Sequence, residues 1–115
     1  MKTLLTSALL IAFFLVGSIS VSAQIAGGYN PASVTDRSIK DAAAFAIKAH
    51  NKKSKKKVKL ISIVKAQTQV VAGYNFNICL KVREGRTVRR VEVLVYNDQF
   101  NKETLDKWQW GGCGF

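Results

Sequence analysis

The sequence predicts an α+β fold in which one helix packs on an antiparallel sheet. An alanine-rich stretch over residues 37–51 is followed by segments in which apolar and polar residues alternate, and glycine-containing turn sequences separate these segments. Alanine favours helix, alternation of period two indicates half-buried strands, and a helix followed by consecutive strands is typical of α+β domains. The 115 residues suffice for one domain, because domains most often have about 100–150 residues.

The first 23 residues have the pattern of a secretory signal peptide. Lys2 supplies a positive charge, residues 4–16 form an uncharged apolar run, and Val21-Ser22-Ala23 places small residues at a cleavage position. The apolar run is shorter than the roughly 20 residues that cross a bilayer. We therefore expect cleavage after Ala23, a single domain at residues 24–115, a secreted protein (extracellular or periplasmic), and no stable membrane insertion after cleavage.

Cys79 and Cys113 are the two cysteines of the chain. Export to an oxidising compartment favours a disulfide between them. The alternative is a catalytic thiol, which requires a neighbouring base. The single histidine, His50, falls in the predicted helix, and the sequence contains no Ser-His-Asp set, phosphate-binding glycine loop or paired metal ligands. We predict a disulfide, no enzyme activity, no metal and no cofactor.

The elements follow in a simple order. Residues 24–33 form an arm that contains Gly27-Gly28, and Thr35 or Asp36 is a candidate helix cap. The helix is expected from Arg37 to about Asn51, where a polar break begins. Its apolar stripe is predicted to comprise Ile39, Ala43, Ala46, Ile47 and His50.

Four strands are expected after the helix. The first extends over residues 58–69 and leads into a tight connection at residues 70–73. Residues 76–83 and 90–96 alternate with period two and are joined by a hairpin turn at residues 84–86. Residues 105–110 form a last strand, on which Trp108 and Trp110 share one face and pack on the domain.

The chain is strongly cationic, with 18 Lys and Arg against 7 Asp and Glu, a net charge of +11. Five lysines surround Ser54 within residues 52–57. This run is interpreted as a solvated connector after the helix. The alternative is a surface for anions, whether nucleic acid, glycan or lipid headgroups. No aromatic residue interrupts the run, so no specific nucleic acid partner is expected.

Three sequence features together resemble the cystatins, which inhibit papain-like cysteine proteases. Residues 69–73, Gln-Val-Val-Ala-Gly, match the pattern Gln-x-Val-x-Gly of the first inhibitory loop. Gly27-Gly28 precedes the helix, where the family has a glycine after its inhibitory arm. Residues 42–51 resemble the helix signature of plant-type cystatins.

Two features depart from the family pattern. Gln99-Phe100 stands where the family usually has Pro-Trp, and a single disulfide matches neither the plant nor the secreted animal pattern.

The resemblance implies a cystatin-like fold, with a four- to five-stranded antiparallel sheet wrapped around one N-terminal helix. It implies a monomeric, secreted, reversible and competitive inhibitor whose partner is a papain-like cysteine protease. The implied protease-binding residues are Ile25, Ala26, Gly27 and Gly28 in the arm, Gln69, Val70, Val71, Ala72 and Gly73 in the first loop, and Gln99 and Phe100 in the second.

Two further expectations follow for these residues. A carboxylate introduced at Val71 or Gly73 should block docking with little effect on the fold, except for the strain of any positive φ at Gly73, and Gln69 can hydrogen-bond within the loop and hold its shape. The alternative function is a cationic binding protein of the same fold for anionic surfaces or glycans, without protease inhibition. In that case the lysines of residues 52–57 and the arginines Arg83, Arg86, Arg89 and Arg90 would matter most.

Overall fold

The structure, a computed structural model, describes residues 27–115 and contains one helix and five strands. The elements are β1 (Tyr29–Ala32), α1 (Arg37–Lys53), β2 (Val58–Val71), β3 (Gly73–Glu84), β4 (Thr87–Asn97) and β5 (Glu103–Trp110). The strands form one antiparallel sheet in the order β1-β2-β3-β4-β5. The predicted α+β fold is confirmed. The expected signal peptide at residues 1–23 and the arm residues Ile25 and Ala26 lie outside the described residues.

α1 begins at the predicted residue but extends beyond the predicted end. Asp36 occupies the N-cap position without a side-chain capping bond, and the helix continues through Lys53. The expected break at Asn51 is wrong. The Asn51 side chain instead donates to the Val58 carbonyl at 3.0 Å and accepts from the Val58 N–H at 2.9 Å. Asn51 therefore ties the end of α1 to the start of β2, and Lys52 and Lys53 belong to the helix. Within residues 27–115, no helix has the length and apolarity to cross a membrane.

The core lies between α1 and the inner face of the sheet. From the helix it contains Ile39, Ala42, Ala43 and Ala46; from β3 Phe76, Ile78, Leu80 and Val82; and from β4 Val91, Val93 and Val95. The period-two alternation of β3 and β4 thus correctly predicts their inner face. The predicted helical stripe is only partly correct, since Ala42 is buried while Ile47 and His50 are half-buried.

β2 is an irregular strand along its first half. Its pairing with β3 shifts register between Leu60 and Ser62 and again between Ile63 and Lys65. β1 pairs only with residues 66–69 of β2. Residues 58–65 therefore have no partner in β1 on their other edge.

The outer face of the sheet, opposite the helix, is partly covered by the C-terminal segment. Cys79 and Cys113 form the predicted disulfide, with their Cα atoms 5.8 Å apart. The Gly114 N–H donates to the Glu92 carboxylate at 3.4 Å. The expectation of solvated alternate positions in β3 is therefore wrong at two residues: Asn77 is 7% exposed and Cys79 is fully buried.

His50 packs against the two tryptophans of β5. Its ring stacks on Trp108 with centroids 3.8 Å apart and meets the edge of Trp110 at 5.9 Å. The predicted packing role of both tryptophans is confirmed. Across residues 27–115, no three His, Cys, Asp or Glu side chains are grouped as metal ligands. Burial lowers the pKa of His50 below its ordinary value of 6.5, and the Glu84 carboxylate opposes this shift.

The depressed pKa of His50 predicts a loss of stability in mild acid. The unfolded chain binds the proton more readily than the folded chain, so the free energy of unfolding rises with pH. This contribution is fully present above the unfolded pKa of about 6.5 and decreases as the pH falls from there towards the folded pKa. Urea unfolding between pH 7.5 and 5 should show the decrease. His50→Phe, which keeps a stacked ring, should remove that part of the pH dependence, and an unchanged profile would contradict the assignment.

Candidate functional site

Three chain segments meet at one end of the sheet. They are the entry to β1 at Gly27-Gly28, the turn between β2 and β3, and the loop at residues 98–102 between β4 and β5. The register places them together, because Tyr29 pairs with Gln69 and Tyr74 pairs with Asn97. Ala72 is the single residue between β2 and β3, whose last pair is Val71 and Gly73. We call this end of the molecule the wedge end.

Gly73 is where the two loops come into contact. Its φ is +113°, a backbone conformation that favours glycine. A Cβ atom at this position would lie 2.3 Å from the Asn97 carbonyl oxygen and 2.9 Å from the Asp98 Cα. The Tyr96 hydroxyl also donates a hydrogen bond to the Ala72 carbonyl. The missing side chain of Gly73 therefore lets the β2–β3 turn pack directly against the end of β4.

Gln69 connects the arm to the hairpin. Its Nε2 donates to the Gly27 carbonyl at 2.6 Å, and its Oε1 accepts from Asn75 Nδ2 at 2.9 Å. The expectation that Gln69 bonds within its own loop is correct in part: Asn75 is its cross-strand partner in the same hairpin, whereas Gly27 lies in the arm. The Gln69 side chain thus holds the start of the described chain beside the first loop.

The Asp98 side chain stabilises the second loop through hydrogen bonds to the backbone of that loop. Its Oδ1 accepts from the N–H groups of Phe100 and Lys102, both at 2.8 Å. The Asp98 N–H donates to the Lys102 carbonyl at 2.9 Å, and Asn101 adopts a φ of +63°. Asparagine and aspartate favour such turns because their short polar side chains bond nearby backbone. The loop therefore has a defined shape with Gln99 and Phe100 at its exposed tip.

The wedge end exposes apolar side chains that belong to all three segments. Phe100 is 80% exposed, Val70 60%, Tyr74 50% and Val71 41%, and Tyr29 is also exposed. A single exposed apolar residue is ordinary in a soluble protein, whereas a group of them marks an interaction site. Ordered loops and solvated apolar tips suit docking into an apolar cleft.

The carboxylates of the chain lie mainly towards this same end. Five of the seven belong to the beginning of α1, the β4–β5 loop and the beginning of β5: Asp36, Asp41, Asp98, Glu103 and Asp106. Burial, assisted by the charge of Asp41, raises the pKa of Glu103. The cations of the molecule are concentrated at the other end.

The described residues that were predicted from the sequence to bind a protease lie close together in the structure. Gly27, Gly28, the five residues of the first loop, Gln99 and Phe100 all lie at the wedge end. Sequence reasoning missed Tyr29 and Tyr74 as exposed apolar neighbours, and Tyr96 and Asp98 as the residues that order the loops. Only Asp98 carries a local signal, because aspartate at the start of a polar loop is typical of a side-chain-bonded turn.

Comparison with known proteins identifies one domain family. The family model for the cystatin domain matches residues 27–108. The chain is 33% identical over 73 residues to cysteine proteinase inhibitor 1 of Actinidia chinensis var. chinensis, a match that covers 63% of each chain. It is 33% identical over 75 residues to cystatin-1 of Zea mays, covering 64% of this chain and 56% of that protein. The chain thus spans about three fifths of the length of these relatives.

A solved structure has the same fold. The salivary cystatin from the soft tick Ornithodoros moubata superposes with a TM-score of 0.65 at 15% identity, covering 75% of this chain and 98% of that chain.

Gly73→Ala should destabilise the domain, because the φ of Gly73 is positive, the case excepted from the expectation that this turn tolerates substitution. The new Cβ must move the backbone of Asn97 and Asp98 and must adopt a positive φ. Strain of this kind costs about 1–3 kcal/mol. Denaturant unfolding measures the loss. Ala72→Ser, at the exposed neighbouring position, is the control and should leave the free energy of unfolding within about 0.5 kcal/mol of the parent. Equal stability of both variants would contradict the proposed contact.

Proposed function

The chain belongs to the cystatin family, and we propose that it is a secreted, reversible and competitive inhibitor of papain-like cysteine proteases. The observation that supports this most directly is the convergence of three ordered segments at the wedge end, each with exposed apolar side chains. The names of its plant relatives, which are inhibitors rather than enzymes, agree with it. We assign the chain no reaction of its own.

In this proposal the first loop enters the active-site cleft of the protease. Ala72 and Gly73 have the smallest side chains of the tip, so the backbone approaches the catalytic thiol closely. Val70 and Val71 lose their contact with water against the walls of the cleft. Inhibition requires no covalent step, because the loop fills the cleft without offering a peptide bond in a cleavable position.

The hydrogen bonds of the wedge end explain why such docking would be favourable. Gln69, Tyr96 and Asp98 each hold a loop or the arm in place before the protease is met. A binding surface that is ordered in advance loses less conformational entropy on association. The energy gained from the apolar contacts is then available for affinity.

The other two segments are proposed to bind on either side of the catalytic thiol. Ile25 and Ala26 would occupy the non-primed subsites, with Gly27 and Gly28 allowing the arm to follow the cleft. Gln99 and Phe100 would contact the primed side. Phe100 is 80% exposed, so its ring would gain most of its burial from the protease and little from its own domain.

Secretion is part of the proposal and rests on the pattern of the first 23 residues. The Cys79–Cys113 disulfide agrees with it, because disulfides persist in oxidising compartments. We propose cleavage after Ala23, a single domain at residues 24–115 and a monomer that binds one protease. The alternative, a cationic binding protein without inhibition, leaves the exposed apolar residues of the wedge end without a role.

Val71→Asp should abolish tight inhibition while leaving the fold intact. The substitution places a carboxylate in the desolvated cleft, which costs about 3 kcal/mol or more unless the charge is paired, so the inhibition constant should rise over about 100-fold. The matched control is Val88→Asp at the far end of the sheet, because the two valines are similarly exposed, 41% and 45%. Inhibition constants against papain are the measurement, with circular dichroism as the folding check. Parent-like inhibition by Val71→Asp would refute the wedge mechanism.

Removal of the arm should weaken inhibition without affecting the fold. A chain that begins at Gly27 keeps the acceptor of Gln69 but lacks Ile25 and Ala26. The expected loss is about 1–4 kcal/mol of binding energy, the scale of a few interface anchors. A chain of parent length in which residues 24–26 read Gly-Ser-Gly separates side-chain contacts from chain length. If both chains inhibit several papain-like proteases as the parent does, the arm has no role in binding.

A further inference from the structure

The end of the molecule opposite the wedge carries most of its positive charge. Ten cations belong to the end of α1, the α1–β2 connection, the beginning of β2 and the β3–β4 hairpin: Lys52, Lys53, Lys55, Lys56, Lys57, Lys59, Lys81, Arg83, Arg86 and Arg90. Among the described residues, Glu84 is the one carboxylate in these segments, and Arg89 pairs with it at 3.2 Å. The ten cations are therefore left without a carboxylate of their own.

Four of these cations form like-charge pairs on the outer face of the sheet. Lys59 lies directly opposite Arg83, and Lys81 lies directly opposite Arg90. All four are exposed, and they share the face of Cys79, which the helix does not cover. We call these four residues the basic face.

The basic face works against the stability of the sheet. Like charges directly opposite each other on neighbouring strands repel. The next outer pair of β3 and β4 supplies no free carboxylate that could offset this repulsion. That pair is Cys79 and Glu92, and the Glu92 carboxylate already bonds Lys107 at 2.6 Å, which lowers the pKa of Glu92. An external anion would remove the repulsion that the protein itself leaves in place.

We propose that the basic face binds a linear sulfated glycan. The four cations follow one another across β2, β3 and β4, with paired residues about 5 Å apart and successive outer positions on a strand about 7 Å apart. A chain with a closely spaced series of sulfates contacts all four in succession. The lysines of residues 55–57 and Arg86 at the adjoining edge extend the same positive surface.

A lipid surface fits this face less well. Stable attachment to a membrane surface combines cations with apolar side chains that enter the bilayer. Leu60, Ile61 and Val88 are the exposed large apolar residues near these cations. Leu60 pairs with Val82 of the core and so belongs to the inner face, whereas Val88 pairs with Arg83 on the outer face. Val88 therefore shares the outer face with the cations, whereas Leu60 belongs to the other face, so the exposed apolar side chains are divided between the two faces and form no single patch beside the basic face.

A nucleic acid also fits less well. Unpaired bases bind to exposed aromatic side chains, and no aromatic residue lies in or directly opposite the four positions of the basic face within the described sheet. Trp110 lies on the inner face and is covered by the Arg89 guanidinium at 3.7 Å, and the Phe115 ring is covered by Lys65 Nζ at 4.7 Å. The disulfide, moreover, is typical of oxidising compartments, which are extracytoplasmic in most organisms.

The position of the basic face allows it to act together with the wedge end. Residues 59, 81, 83 and 90 lie towards the β3–β4 hairpin, whereas the protease-binding loops are at the opposite ends of the same strands. A glycan bound there leaves the wedge end free. The protein would be held on a sulfated matrix in a form that still accepts a protease.

Heparin is the probe for the test, and the key variant is the double substitution Lys81→Glu with Arg83→Glu. It places a carboxylate opposite Arg90 and another opposite Lys59, so the sheet is relieved of both repulsive pairs. The melting temperature should therefore be equal to or above that of the parent, while heparin affinity falls about 30-fold, or about 2 kcal/mol at tenfold for each 1.4 kcal/mol. The matched control is Lys40→Glu with Lys48→Glu, two exposed helix positions with the same change in net charge.

Titration calorimetry at several salt concentrations measures the affinities, with a single-stranded DNA and anionic phosphatidylserine vesicles as competing probes. The proposal predicts that heparin binds more tightly than either, that the control variant binds like the parent, and that the slope of log affinity against log salt is shallower by about 2 in the double variant. Equal losses in the two variants would show attraction to net charge alone and overturn the proposal. Tighter binding of DNA or vesicles would overturn the assignment to a glycan. No protease is present, so the result does not depend on inhibition.

Discussion

The close contact between α1 and the sheet is the constraint on which the rest of the structure depends. Ala42, Ala43 and Ala46 are fully buried, and because their side chains end at Cβ, the helix backbone approaches the strands closely. The valines of β4 and the larger residues of β3 then fill the space on either side. A larger side chain at any of the three alanines would push the helix away from the sheet, since cores are packed too tightly to absorb added volume. In the antiparallel sheet on which the helix packs, the sequential order of the strands places the β2–β3 turn and the β4–β5 loop at one end.

The two ends of the sheet differ in what they expose. At one end, apolar tips are held in place by side-chain bonds from Gln69, Tyr96 and Asp98. At the other, cations lie opposite one another without carboxylates to pair with. The core is continuous between them, so each end is presented by the same rigid strands. Two surfaces of opposite chemical character can therefore be used without movement of one relative to the other.

The elements were predictable from local patterns, whereas the contacts between them were not. The alanine run and the alternation in β3 and β4 depend on neighbouring residues, and both predictions are correct. Gln69 bonds Gly27, a residue 42 positions away, and Gly73 packs against the end of β4. No local periodicity encodes such pairs. The burial of Asn77 similarly depends on the C-terminal segment, which the disulfide draws across a face that alternation alone marks as solvated.

The irregular first half of β2 bears on how the protein behaves at high concentration. An uncovered strand edge offers N–H and C=O groups to any other chain, and regular edges of this kind promote aggregation. Asn51 bonds both backbone groups of Val58, so residues 59–65 have such an edge, but the register shifts after Leu60 and Ile63 interrupt its spacing. Bulged strands bend and twist more strongly than regular ones, so an incoming strand cannot continue the ladder for long. The same irregularity that weakens the pairing of β2 with β3 thus helps to keep separate molecules from adding to one another edge to edge and growing into fibrils.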